Sequence, residues 1–555
     1  VHGRIEADVT GPPGTIIDIG WDERLWNDTR PLPYPGSFHH QWNQTDSWVL
    51  DGTTRSLSTI DSRTGRYILI AVWGDAPVLM EHVRVNAERY PAQQRGSFTS
   101  SDERLNRIWQ TGVDTLRSNM TDAYADPWRE RGQWWGDAFV SDHVNQAAFG
   151  ETALLRRGLR LMAEGVADDG RPAALAPHGH NNHLLDYGML WVQSTADYWR
   201  LTHDTAPLRD IYPDIQSFLS YLHTLEHPTT RLLDVPAGSW SQTALIDWAA
   251  HWERYGQSTA LNALYYDSLL DAVRIAEALG DTTNAMIWNR RANDIKQAIH
   301  TTLYLPEEGR YLSTIVDDKP YPPSPQSQAW ALAYGVVPQG EVQDVADSLL
   351  SLLSDDPATP NVEIYGMYWV LEALGRAGRI DDALSVIEMY YGRLLDLGAT
   401  TWWETFNSHL SYDNALSHGW GGSPTWFLTT HVLGAQRTGP NTWRVKPALR
   451  AQTTLSRTVP LSITGSLPLQ DGELAISWRQ TQQPNSQTTI AIAAPDSSHG
   501  TVVLPTEVVA GEIGTVTVNG MAVWKKGETL VDTVTQEEDG IHIAVEGGSP
   551  TITLY

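Results

Sequence analysis

Between residues 103 and 435 the chain repeats one pattern: a helical run, a tight turn, a second helical run, then a long link. The first run shows the period. Leu105, Ile108, Trp109, Val113 and Leu116 recur at helical spacing behind the capping sequence Ser101-Asp102-Glu103. Runs of this kind fall at about 103–119, 136–149, 151–166, 187–203, 206–226, 257–279, 282–304, 325–336, 340–353, 362–377, 380–396 and 422–435. Gly150, His203-Asp204-Thr205, Gly280-Asp281, Pro338-Gln339 and Gly378-Arg379 mark short turns. Between them lie mostly longer links, near 120–135, 168–186, 227–256, 305–324, 354–361 and 397–421. Helices that run up and down in sequence put every second connection at the same end. The long links therefore gather on one face and the short turns on the other. About twelve helices with this alternation predict a closed toroid of six hairpins, an (α/α)6 barrel. Loops gathered at one end of a rigid scaffold are the place to look for function.

The flanks read differently. Arg4 to Val9 alternates, as do Thr15 to Ile19 and Arg66 to Val72, with turn-forming clusters between them. Strand patterns return after Thr438-Gly439-Pro440, in Leu461-Ser462-Ile463, Glu473 to Trp478, Thr488 to Ile492, Gly514 to Val518 and Thr551 to Leu554. Asn519-Gly520 is a hairpin turn signal. The expected architecture is multidomain and mainly α: a β-sandwich over 1–96, the barrel over 97–437 and a second β-sandwich over 438–555.

Composition narrows the function. The chain carries 66 acidic against 39 basic residues, a net charge of -27, which argues against nucleic acid or an anionic membrane surface as partner. No stretch is long and apolar enough to span a bilayer and no signal peptide precedes Val1, so a soluble chain is expected, cytoplasmic or secreted. Without cysteine there is no disulfide, thiolate metal site or cysteine nucleophile, an absence that fits either compartment. Asn27-Asp28-Thr29, Asn43-Gln44-Thr45 and Asn119-Met120-Thr121 match the glycosylation pattern, a short pattern that chance often produces. Tryptophan is the unusual count, at 24. Trp128, Trp134, Trp135, Trp240, Trp248, Trp252, Trp402, Trp403 and Trp420 all fall in predicted links, which suggests an aromatic-lined cleft.

Two links concentrate chemistry. Asp126-Pro127-Trp128-Arg129-Glu130-Arg131-Gly132-Gln133-Trp134-Trp135-Gly136-Asp137 packs three carboxylates, two arginines and three indoles into one run broken by Pro127, Gly132 and Gly136. Carboxylates beside apolar rings can have their pKa values pushed apart, as acid–base chemistry needs. Indole faces are what a sugar ring packs against through its C–H bonds. The competing reading is a solvated loop at a helix start. Far away in sequence, Gly398-Ala399-Thr400-Thr401-Trp402-Trp403-Glu404-Thr405-Phe406 lies in the link before the last helix. A closed barrel sets that link beside the first one. Glu130 and Glu404, each next to tryptophans, would then face each other across one mouth, as paired carboxylates do in glycoside hydrolysis. Glu404 taken alone could be a helix cap. His418, in Ser417-His418-Gly419-Trp420, could be a hydrogen-bonding wall or a structural histidine, and Asp247-Trp248 could bind a sugar hydroxyl and ring face or form a plain turn. His178-Gly179-His180-Asn181-Asn182-His183 lacks the one-face helical spacing of a zinc site, so no bound metal is expected. No Gly-rich phosphate loop follows a strand, which disfavours nucleotide chemistry.

These residues resemble the α-L-rhamnosidases of glycoside hydrolase family 78. Asp126, Pro127, Arg129, Glu130, Trp134, Gly136 and Asp137 match the family's Asp-Cys-Pro-x-Arg-Glu and Trp-x-Gly-Asp motifs, with the cysteine missing and the loop one residue shorter. Trp403-Glu404 matches the end of its second motif and His418 the histidine that follows. Phe98 to Asp102 with Leu105, Asn106 and Trp109, and Leu467-Pro468-Leu469 with Gly472, extend the resemblance over most of the chain. It implies an inverting exo-hydrolase releasing terminal α-L-rhamnose, with Glu130 as general acid and Glu404 as general base. Asp126 and Asp137 would bind the sugar, Arg129 would hold the carboxylates or a hydroxyl, and Trp134, Asp247, Trp248, Trp403 and His418 would line its pocket. No cofactor is implied for the chemistry; a structural calcium and the oligomeric state stay open. Two alternatives also stay open: the same scaffold acting on another sugar, as an α-L-fucosidase or unsaturated glucuronyl hydrolase does, and a non-catalytic carbohydrate-binding protein.

Overall fold

The computed structural model describes residues 1–24, 38–39, 42–177, 182–238, 243–250, 252–411, 413–449, 462–481, 487–505, 507–508 and 511–555. Asn27-Asp28-Thr29, the side chain of Asn43, His178 to Asn181, Trp240 and Leu461 therefore lie outside the described residues.

Among the described residues twelve helices follow one another. They are α1 (Glu103–Asn119), α2 (Trp135–Ala148), α3 (Ala153–Glu164), α4 (Leu185–Thr202), α5 (Ala206–Thr224), α6 (Thr259–Leu279), α7 (Thr282–Leu303), α8 (Pro325–Ala333), α9 (Val342–Leu352) and α10 (Met367–Arg376). The last two are α11 (Ile380–Ile387, continued by a π turn Glu388–Gly392 and by Arg393–Asp396) and α12 (Ser423–Phe427, continued by the π turn Leu428–Leu433).

Burial separates them into two rings. Every residue of α2 and of α8 is buried, whereas α3 buries only the stripe Leu154, Leu155, Gly158, Leu159 and Met162. A helix buried all round has neighbours on every side; one with a single apolar stripe lies outside. The contacts close the inner ring: α2 packs on α4, α4 on α6, α6 on α8, α8 on α10, α10 on α12 and α12 on α2. Odd-numbered helices return on the outside, so the (α/α)6 barrel expected from the link lengths is present. Every long link leads into the N-terminal end of an inner helix.

Asp102 caps α1, its carboxylate accepting from the N–H groups of Arg104 at 2.9 Å and Leu105 at 3.3 Å. Helix α10 begins at Met367 rather than 362. The reason is local: Asp247 accepts from the N–H of Glu363 at 3.3 Å, and Gln326 of α8 donates to the carbonyl of Asn361 at 2.8 Å, so this backbone is used by another link and by a neighbouring helix.

The N-terminal strands form two main antiparallel groups, His2–Thr10 with its partners and Thr45–Val49, Ile16–Asp22 and Tyr67–Trp73, beside the short pair Phe38–His39 and Trp42–Asn43. They enclose a separate core of Ile5, Ala7, Val9, Ile17, Ile19, Trp21, Trp48 and Leu50. The C-terminal strands build a larger sheet whose apolar residues, among them Trp443, Ile463 and Leu467, are continuous with the barrel core. Ser97–Ser100 leaves the N-terminal sandwich and pairs antiparallel with Ser462–Leu469, stitching the start of the barrel to that sheet.

Candidate active site

The first long link folds back on itself before α2. Asp126 Oδ1 accepts from the N–H of Trp128 at 2.9 Å, Asp126 O accepts from the N–H of Arg131 at 3.1 Å, and Arg131 turns the chain with φ 54°. Gly136 then lets α2 start close to its neighbours. A Cβ there would meet the Tyr187 ring at 2.4 Å and the Tyr365 hydroxyl at 2.6 Å.

Arg129 joins this link to the last one. Its Nη2 donates to both carboxylate oxygens of Glu404, 275 residues away, at 2.8 Å each, while Nη1 lies 3.4 Å from Glu130 Oε2. One planar fork therefore touches both candidate catalytic carboxylates. These contacts keep them within roughly 9 Å of each other, a separation that leaves room for a sugar and an attacking water between an inverting acid and base. Glu130 Oε1 accepts from the indole N–H of Trp134 at 2.7 Å. Glu404 Oε2 accepts from the N–H of Ala415 at 2.7 Å, and its carbonyl accepts from the indole N–H of Trp420 at 3.0 Å. Glu404 is thus a buried link residue whose two carboxylate oxygens are both held, and not a helix cap.

The surrounding acids are buried and crowd one another. Burial raises the Glu404 carboxyl to about 7 against the opposing pull of Arg129. Burial likewise raises Asp126 to about 6, again opposed by Arg129. Asp137, in the first turn of α2, is pushed well above the usual carboxylate range by burial and by Glu130. Its Oδ1 lies 3.4 Å from His418 Nε2, and burial, then Arg129, hold that imidazole well below its ordinary value. The pair is driven toward its uncharged forms. Asp126 Oδ2 and His418 Nδ1 are buried and have no hydrogen-bond partner among the described residues.

The other candidates divide. Trp134 is partly exposed and meets Tyr187 edge-on at 6.2 Å, and Trp248 is 37% exposed in its link on the same face. Asp247 is fully buried, accepting from Gln326 Nε2 at 2.9 Å, with burial raising it to about 6. Trp403 is buried against His409, ring centroids 5.2 Å apart, and leaves little of its face open. Trp128, Trp135 and Trp402 are buried outright. The link tryptophans therefore serve as much to wedge the links onto the barrel as to line a cleft, because indoles are large enough to anchor irregular backbone.

Three contributors escape sequence reasoning. Glu363, raised to about 7 by burial, accepts from the N–H of Phe406 at 3.0 Å and ties the link before α10 to the Glu404 loop. Asn119, read as part of a glycosylation pattern, is buried. It donates to Ser417 Oγ at 3.3 Å and accepts from the N–H of Gly419 at 3.1 Å, holding both neighbours of His418. Glu23 comes from the N-terminal sandwich, which no pattern tied to the barrel mouth. Elsewhere, a cavity of 470 Å³ opens among inner-helix residues, but Asp197 and Asp271 there are paired with Arg200 and Arg274. Among the described residues the one cluster with metal-ligand spacing is Glu537, Asp539 and His542 on the C-terminal sheet, where Asp539 is already paired with Arg444 at 2.6 Å.

The chain and its fold have known relatives. The sequence model of the bacterial alpha-L-rhamnosidase 6 hairpin glycosidase domain matches residues 93–432, well over half of the chain. The chain belongs to this family. The six-hairpin scaffold also matches solved structures. A GH78 family rhamnosidase of Bacillus sp. GL1 superposes with a TM-score of 0.79 at 25% identity, covering 91% of this chain and 52% of that one. The α-L-rhamnosidase from Dictyoglumus thermophilum gives 0.78 at 20% identity, covering 100% and 60%. Among curated relatives, an alpha-L-rhamnosidase of Alteromonas sp. strain LOR is 22% identical over 465 residues, which is 78% of this chain and 47% of that protein. The chain spans about half the length of the curated relatives it matches.

Proposed function

We propose that this chain forms the catalytic part of an inverting exo-glycosidase that releases terminal α-L-rhamnose from glycosides or polysaccharides. The observation that carries the reading is the single Arg129 guanidinium shared by Glu130 and Glu404 at one barrel mouth. Glu130 would protonate the leaving glycosidic oxygen. Glu404 would take a proton from a water on the opposite face of the sugar, which attacks the anomeric carbon and inverts it. A base raised to about 7 is well matched to that task near neutral pH. Arg129 would keep the base ionised and fix its orientation. Asp126 and His418, each with an atom left over, would take sugar hydroxyls, and Trp134 and Trp248 would pack on ring faces. The rhamnosidase names of the relatives support the choice of sugar. No catalytic cofactor enters this reading.

A screen of aryl glycosides tests it. Release from aryl α-L-rhamnoside, with little from the α-L-fucoside or an unsaturated glucuronide, is expected. Preference for either of the others reassigns the sugar, and binding of rhamnose without any turnover makes the protein a lectin-like binder.

A further inference from the structure

The barrel does not hold the Glu404 loop alone. Strand Ile16–Asp22 of the N-terminal sandwich ends at the barrel mouth, and the next two residues reach into it. Glu23 is 6% exposed, and its Oε2 accepts from the N–H of Leu416 at 2.6 Å. The preceding residue, Ala415, is the one whose N–H holds Glu404 Oε2, and its carbonyl accepts from the N–H of Glu404 at 3.0 Å. Two consecutive amides are thus held by two carboxylates from different domains. Arg24 grips the same segment. Its Nη1 donates to the carbonyl of Ser408 at 3.0 Å and to that of Ser411, its Nη2 donates to that of Asn414, and its guanidinium lies 5.3 Å over the Trp128 ring in the first link. A second tie reaches the neighbour of Glu130: Arg131 Nη1 donates to Asp61 at 3.1 and 3.0 Å, and Nη2 to the carbonyl of Ser62.

We propose that Glu23 and Arg24 are positioning residues, through which the N-terminal sandwich sets where the Glu404 carboxylate stands relative to Glu130. This rests on the assignment of Glu404 as the base. Neither residue needs to touch the sugar. They hold the limb of backbone that returns from Glu404, and that limb supplies the amide on which the carboxylate rests. Burial, with Asp126 nearby, raises Glu23 to about 8, so at neutral pH it acts mainly as a neutral acceptor. A glutamine can reproduce that bond. The rate should be sensitive to it, because a displacement of about 1 Å at a reacting group can cost about a hundredfold.

The test compares Glu23→Ala, Glu23→Gln, Arg24→Lys and Glu404→Gln in the full chain, reading kcat and KM on aryl α-L-rhamnoside and the affinity for free rhamnose by calorimetry. Glu23→Ala should lower kcat about tenfold or more while KM and rhamnose affinity stay within about threefold. Glu23→Gln should recover most of kcat. Arg24→Lys, which keeps the charge but loses the fork, should lower kcat alone. The positioning role is overturned if Glu23→Ala keeps its kcat, if KM and rhamnose affinity bear the loss, or if Glu23→Gln is as impaired as Glu23→Ala. Should Glu23→Ala not fold, the Glu23→Gln and Arg24→Lys pair decides: rescue in the first with a kcat loss in the second supports the role, and the reverse overturns it. Glu404→Gln separates the two claims. If it still turns over, the base assignment falls; if it is inactive while Glu23→Ala is normal, only the positioning role falls.

Discussion

Replacing Arg129 with Met removes a cation that touches both candidate catalytic carboxylates. Arg129 is the largest influence lowering the Glu404 carboxyl, which burial otherwise raises to about 7. An opposite charge at this range is worth about 1–3 pKa units, or about 1.4–4 kcal/mol. Glu404 in the variant should therefore ionise roughly 1–3 units higher. If Glu404 must be ionised to activate water, the acid limb of kcat/KM moves up by the same amount. At pH 6 the variant should lose about 10- to 1,000-fold, and part of that loss should disappear by pH 9. The assay is kcat/KM on aryl α-L-rhamnoside between pH 5 and 9.5. The buried carboxylate left behind also destabilises the fold, by about 3–5 kcal/mol while it stays ionised, and protonation relieves this cost. Arg129→Lys, which keeps the charge but loses the planar fork, should show a smaller displacement. A uniform loss with the limb unmoved would refute the argument, since Arg129 would then act on geometry or substrate alone.

Three further outcomes follow from the same geometry. Glu130→Gln should lose far more rate on natural glycosides than on substrates whose leaving group needs little protonation, as steady-state kinetics on both classes would reveal; equal losses would remove the acid role. NMR of the first-formed sugar should show inverted anomeric configuration, whereas retention would make Glu404 a nucleophile. Thermal stability should fall as pH rises from about 5 to 8. Glu404, Glu363 and Glu23 are raised from 4.5 to about 7, 7 and 8, so the folded state binds more protons than the unfolded state across that window. The cost is absent below the unfolded values and fully present above pH 8, and Glu23→Gln should flatten its upper end; a melting temperature that is level or rises over this range would contradict the assignment. Below pH 4.5 the sign reverses. Despite burial, His431 holds Glu372 down to about 2, and that stabilisation is lost on acidification.

Much of this architecture is legible in the chain. Helical period and link length suffice for the barrel because both are local: an apolar stripe shows where each helix lies, and a short turn forces an antiparallel neighbour. The same logic sets the links of Glu130 and Glu404 side by side, since a ring of hairpins must return to its start. Motif chemistry marks Asp126, Arg129, Glu130 and Asp137 because they occupy one short run. Other features depend on contacts that no window of sequence contains. Which of Glu404's neighbours hold its carboxylate is decided by Arg129, 275 residues away, and by Ala415 across a loop. Whether a link tryptophan faces sugar or core is decided by how its link lies on the barrel; Trp128 is buried and Trp248 is not. Asn119 reads locally as a glycosylation match, yet tertiary packing buries it behind His418. Period and composition report the surface each element must cover. The placement of single polar atoms follows from domains docking together, as when Glu23 of a β-sandwich meets the amide of Leu416 in the barrel mouth, and the burial that shifts their ionisation exists only once the whole chain has closed around them.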